Sequence, residues 1–234
     1  MRRVILSWVA LGVVSAAVAL AQAPNPRAAA PIDLTGTWVS VVTEDWRYRM
    51  VSPPKGDYPS IPLNAEGKKL ADAWDGKETC KSFGAGNIMR QPGRIRIYWE
   101  GDTTLKLETD TGTQTRLFAF GPPATGAAGS LQGESRASWD FAGGRRGKAG
   151  GGGSLKVVTT RMQSGYLQTN GVPYSANASF TEYFHRTQES NGDSWLVVTT
   201  MTEDPQYLTG QHQRSSHFKK VADGQGWTPT TCTP

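Results

Sequence analysis

The chain has 234 residues, 37% of them hydrophobic and 19% charged, which is enough apolar material for a globular core and too little charge for a typical disordered chain. Twenty-seven glycines, fourteen prolines and eight tryptophans describe a turn-rich fold with aromatic anchors, and only three histidines and two cysteines exclude a zinc finger, an iron–sulfur cluster or a haem-attachment module. The net charge of +5 falls to +3 once Arg2 and Arg3 leave with an export signal, too small an excess to imply a nucleic-acid partner.

Met1-Arg2-Arg3 supplies a positive n-region, Val4 to Leu20 is nearly all apolar, and Ala19-Leu20-Ala21 is a small-residue cleavage site. Residues 1–21 therefore read as a signal peptide, with an uncleaved anchor as the alternative. The stretch is short for a spanning helix and nothing later is apolar enough to cross a bilayer, so no stable membrane insertion is expected. Residues 22–31, rich in proline and alanine, read as a flexible lead-in, and residues 32–234 as one domain of a periplasmic or secreted protein. In an oxidising compartment Cys80 and Cys232 read as one disulfide, with a thiol nucleophile as the unsupported alternative.

Strand-like runs follow in order. Gly36 to Thr43 is β-branched and aromatic, and Arg94 to Glu100 alternates strictly, with Ile95, Ile97 and Trp99 on one face. Hairpin turns at Glu100-Gly101-Asp102 and Asp110-Thr111-Gly112 lead into Thr103 to Thr109 and Thr113 to Phe120. Further runs are Leu131 to Asp140, Leu155 to Met162, Asn177 to Arg186, Ser194 to Thr202 and Arg214 to Val221, with turn signals at Asn170-Gly171 and Asn191-Gly192-Asp193. One short helix is predicted from Asn64, its cap, through Trp74, with Leu70 and Trp74 four apart on one side. Gly143 to Ser154 reads as a solvated loop; a P-loop fails there because Ala142 and Ala149 stand where Gly and Ser/Thr are needed. Eight to ten short strands and one helix indicate an all-β fold, a closed barrel or a sandwich.

Leu34-Thr35-Gly36-Thr37-Trp38, which opens the first strand after the export signal, resembles the Gly-x-Trp signature of lipocalins and the wider calycin group. The resemblance implies a single antiparallel barrel that binds a small, mostly apolar ligand. It also implies that Trp38 plugs the closed end, with a basic residue of the last strand, Arg214 or else Lys220, packed over it. Cys80 to Gly84, Met89, Pro92, Trp139, Asp204-Pro205-Gln206-Tyr207-Leu208 and the closing basic strand are together similar to a broad group of exported bacterial proteins, which implies export and a disulfide-tied domain but no chemistry.

Glu44 to Met50, running on towards Tyr58, is the most unusual segment. If the first run is the first barrel strand, this connection lies over the open mouth and carries Glu44, Asp45, Trp46, Arg47, Tyr48, Arg49 and Tyr58. Tyr48 is then an acid/base candidate, with Arg47, Arg49, Trp46 and Tyr58 as substrate-binding residues; the alternative is a surface loop whose charges pair internally. In Thr181 to Arg186, alternation places Tyr183 and His185 on one face, where the pair could transfer protons, or where the histidine is simply exposed on the outer wall. Arg116 shares a face with Gln114, Phe118 and Phe120 and could line a cavity or pack ordinarily. His212 and His217 lack companions at ligand spacing, so a metal site would require their convergence in space and none is expected. No dinucleotide fingerprint follows a strand, and no cofactor is expected.

Three functions remain. One is a cofactor-independent lyase or isomerase acting on an aromatic or apolar compound, with Tyr48, Tyr183 and His185 as acid/base groups and Arg47, Arg49 and Arg116 holding charge. The second is a non-catalytic carrier of a hydrophobic ligand, and the third an envelope interaction module. Ionisable residues crowd the expected mouth more than apolar binding needs, which favours the first.

Overall fold

Nine antiparallel-leaning strands close on themselves in the computed structural model, which describes residues 25–58, 60–123, 128–143 and 152–232. The residues read as an export signal and its cleavage site, and most of the glycine-rich loop, lie outside the described residues. In chain order the elements are β1 (Gly36–Val41), α1 (Trp46–Arg49), α2 (Ala65–Ala73), β2 (Arg94–Trp99), β3 (Thr104–Thr109), β4 (Thr111–Gly112), β5 (Thr115–Ala119), β6 (Glu134–Phe141), β7 (Gly153–Thr160), β8 (Gly165–Gln168), β9 (Val172–Tyr174), β10 (Ser179–Gln188), β11 (Ser194–Glu203), β12 (His212–Val221) and β13 (Thr230–Thr231). The barrel runs β1-β12-β11-β10-β7-β6-β5-β3-β2 and returns to β1, with β4-β13 and β8-β9 as separate two-stranded pairs. Each of the nine runs read from the sequence is one barrel strand.

The expected purely antiparallel order fails at one seam. β5 and β6 pair in parallel through Phe118↔Ser135 and Ala119↔Arg136. A two-residue hairpin forces antiparallel pairing, whereas the connection over residues 120–133 is long enough to carry the chain back to its starting end. The barrel is therefore mixed.

Strand alternation fills the interior. Trp38, Ile95, Ile97, Leu105, Leu107, Phe118, Leu155, Val157, Phe184, Leu196, Val198 and Phe218 form one core cluster, none more than 3% exposed. One end, the base, is closed by the N-terminal segment. Trp139 Nε1 donates to the Pro26 carbonyl at 2.8 Å, Arg27 N donates to the Asp102 carbonyl at 3.2 Å, and Leu34 joins the core. The lead-in residues 25–31 thus rest against the barrel, with Pro31 buried.

Trp38 sits in the base as the lipocalin resemblance implies, fully buried, with Nε1 donating to the Leu34 carbonyl at 3.0 Å. Its cationic neighbour is Lys220, directly opposite in register, with Nζ 5.5 Å from the ring centroid. Gly36 has φ +118°, and a Cβ there would lie 2.8 Å from Lys220 Cε, so the glycine of the motif is what lets the lysine stem cross. Arg214, the other candidate, is six residues towards the opposite end of β12 and takes no part in this contact.

The opposite end is the mouth. It is covered by the connection over residues 42–93, by the β8-β9 hairpin and by the loop between β11 and β12. Ile88 and Met89 drop from the connection into the barrel core. The Asn64 side chain caps α2 by accepting from Gly67 N at 2.8 Å, as read from the sequence. The buried face of α2 is Gly67 and Ala71 rather than Leu70, which is 38% exposed, because a Cβ on Gly67 would lie 2.5 Å from the Tyr207 carbonyl and only a small residue allows that approach. Trp74 ends the helix against Gly171 (φ +85°) in the β8-β9 turn. Cys80 and Cys232 form the disulfide, with Cα atoms 5.3 Å apart, and hold the C-terminal strap whose Thr230–Thr231 pairs with β4. Among the described residues no helix is long and apolar enough to cross a membrane.

Candidate functional site

The even-numbered residues of β12 face inward, which brings His212, Arg214, Ser216 and Phe218 into the barrel and turns His217 outward. Opposite parity separates the two histidines, so they cannot converge on one ion; His217 pairs instead with Glu44 on the outer side. Register then sets Arg214 beside Thr200, and Thr200 beside Glu182, in one row across β12, β11 and β10. This polar row lies just under the mouth, above the apolar core.

Glu182 is committed. Its carboxylate accepts from Arg116 Nη1 at 3.1 Å and Nη2 at 2.5 Å, and both side chains are 0% exposed. Arg116 Nη2 also donates to Thr159 Oγ1 at 3.1 Å, and Thr159 exchanges a 2.8 Å hydrogen bond with Ser135. The amphipathic face of β5 thus contributes Arg116 to a buried, bidentate ion pair instead of a free binding group.

Above this pair lies a cavity of about 250 Å³, lined by Asp45, Tyr48, Ser60, Ile61, Arg90, Gln168, His212, Gln213 and Arg214. Arg90 is paired with Asp45 and also donates to the Ser215 carbonyl at 3.4 Å. Arg214 donates to the carbonyls of Gly86 and Leu167. Among the described residues no carboxylate stands at ion-pair distance from it. Arg49 is 5% exposed and braces the connection by donating to the Val41 carbonyl at 2.7 Å and the Arg90 carbonyl at 3.0 Å, while its Nη2 is buried without a partner.

Guanidiniums dominate the electrostatics. Burial lowers the pKa of Arg90 to about 10 and pushes Arg49 down. Arg214 is driven down by burial, then by Arg90, with Glu182 opposing. All three stay protonated at neutral pH. Burial first, and Arg214 next, hold His212 at about 4, so its imidazole is neutral beside two cations.

Comparison with known family models, curated proteins and solved structures returns no match.

Of the residues read from the sequence as catalytic or substrate-binding, the structure brings only Tyr48 to this cavity, joined by Asp45 of the same segment. Trp46 is 61% exposed, and Arg47 turns away to pair with Asp57 at 2.6 Å. Tyr58 donates to Asp72 at 3.0 Å, beside α2. Arg49 supports the wall from behind and Arg116 lies below it. Tyr183 and His185 stand on the outer wall, because Phe180, Glu182 and Phe184 take the inward positions of β10. The residues that reasoning from sequence missed are Arg90, His212, Gln168 and Ser60, together with Arg214 in this role. The alternation of β12 would have grouped His212 with Arg214; nothing in the sequence brings Arg90 to them.

Proposed function

We propose that the protein is an exported, lipocalin-like binder of a small molecule, and that its ligand occupies the mouth cavity rather than the barrel interior. The carrying observation is the division of the barrel into an apolar core filled by side chains and a polar cavity above it. A ligand deep in the barrel would have to displace Phe118, Phe184 and Met89 from a packed cluster, at several kcal/mol. The mouth cavity needs no such rearrangement. Export is supported by the basic n-region, the apolar run and the small-residue cleavage site, and agrees with the disulfide.

A catalytic version, a cofactor-independent lyase or isomerase, is favoured by one observation. Tyr48 and neutral His212 share the cavity with Arg90 and Arg214, so a proton acceptor and groups that stabilise developing negative charge face the same space. Tyr183 and His185 enter neither version through this cavity.

Native mass spectrometry of protein purified from its own host tests the proposal. The expected result is a co-purified small molecule, released unchanged by a carrier and converted on re-addition by an enzyme. Under the catalytic version, Tyr48→Phe and His212→Gln abolish conversion while leaving binding. Protein that carries no small molecule, and binds none from a host extract, contradicts the proposal.

A further inference from the structure

The mouth cavity holds a charge imbalance that its own walls do not resolve. Arg90 has Asp45, and Arg116 has Glu182 in a two-point contact. Arg214 has neither. Its hydrogen bonds go to the carbonyls of Gly86 and Leu167, which leaves donors of a five-donor guanidinium uncommitted. Arg214 is half-buried in the cavity wall, and a guanidinium partly withdrawn from water with no carboxylate in contact is compensated most simply by an anion delivered from outside. Arg49 adds a third cation nearby, its own Nη2 unpartnered.

Glu182, two strands away in the same row, acts on Arg214 only at a distance and is itself spent on Arg116. Among the described residues lining the cavity, Asp45 is the one carboxylate, and it is already bound to Arg90. His212, neutral beside Arg214, offers a hydrogen bond without adding charge, and Gln168, Gln213, Ser60 and Tyr48 are neutral polar groups around the rim. A volume of about 250 Å³ corresponds to roughly eight water-sized spaces, enough for a compact organic acid and too little for a long acyl chain.

We infer that the mouth cavity recognises the oxyanion group of its ligand, a carboxylate or a phosphate, through Arg214 and Arg90. The inference rests on the reading that the ligand sits at the mouth. Arg214, with no carboxylate in contact, is the principal anchor. Arg90 shares its charge between Asp45 and the ligand. Planar guanidiniums match the two oxygens of such a group, which an amide of the same shape does not present as an anion.

Isothermal titration calorimetry of the full chain at pH 7 with sodium benzoate, benzamide and inorganic phosphate tests this. The expected result is one saturable site for benzoate or phosphate, at least tenfold tighter than for benzamide. Arg214→Gln reduces that affinity at least tenfold, and Arg90→Gln gives a loss of the same sign should Arg214→Gln fail to fold. Arg136→Gln, exposed on the outer wall of β6, leaves it unchanged. Preference for benzoate marks a carboxylate ligand, and preference for phosphate marks a phosphorylated one. Equal binding of benzoate and benzamide, insensitive to Arg214→Gln, overturns the anion inference and leaves the mouth site standing. Binding of none of the three overturns both.

Discussion

Glu182→Ala is the sharpest perturbation of the barrel. It removes the carboxylate that accepts from Arg116 at 3.1 and 2.5 Å while leaving the guanidinium 0% exposed, with only Thr159 as a side-chain partner. Breaking one side of a buried pair typically costs about 3–5 kcal/mol, because the surviving charge is left uncompensated. Here the loss falls at the upper end, since Glu182 also stabilises the charged form of Arg214. For a domain of this size that corresponds to a fall in Tm of roughly 6–20 °C by differential scanning calorimetry. The double variant Arg116→Met/Glu182→Leu removes both charges with similar volume and recovers most of the loss. A fall of less than about 2 °C for Glu182→Ala, or a double variant no more stable than the single one, refutes the view that a buried charge pair sits under the mouth.

Three further outcomes follow from the same structure. Reducing the disulfide, or replacing Cys80 and Cys232 by serine, opens a loop spanning a sequence separation of 152 and lowers stability by about 5 kcal/mol in the chain-entropy picture, measured by urea unfolding with and without reductant. Trp38→Ala loses about 3–5 kcal/mol as a core cavity opens at the base, whereas Lys220→Met loses about 1 kcal/mol or less; both are read from thermal melts. His212 is depressed from 6.5 to about 4 in the folded chain, so the unfolded chain takes up its proton first as pH falls. Its contribution of about 3 kcal/mol is therefore fully present above pH 6.5 and lost towards pH 4. His212→Gln flattens the stability profile over that window, and an unchanged slope in the variant contradicts the assignment.

The barrel strands were legible because period-two alternation and turn residues are local. Ile95, Ile97 and Trp99 share a face whatever lies opposite, and Asn191-Gly192-Asp193 turns the chain on its own chemistry. Asn64 was legible as a cap for the same reason. The parallel seam between β5 and β6 was not, because strand direction there depends on the path of a long connection and not on any residue within the strands. The face of β10 was visible as an alternation, but not which side turned inward; Tyr183 and His185 shared a face as read, and it is the outer one. For α2 the helix and its cap were legible but not its buried face, which is formed by Gly67 and Ala71, with Gly67 against the Tyr207 backbone. The site itself was least legible. Arg90 lies more than a hundred residues before His212 and Arg214, which share β12, and their convergence is set by barrel closure and by the fold of the 42–93 connection.

The central claim, that the functional cavity is the mouth and not the barrel interior, is tested most directly by NMR of the arginine Nε–Hε and tryptophan indole signals during titration with benzoate. A ligand at the mouth shifts Arg90 and Arg214 and leaves Arg116 and the Trp38 indole unmoved. Shifts at Arg116 and Trp38 with Arg90 and Arg214 unmoved would contradict it.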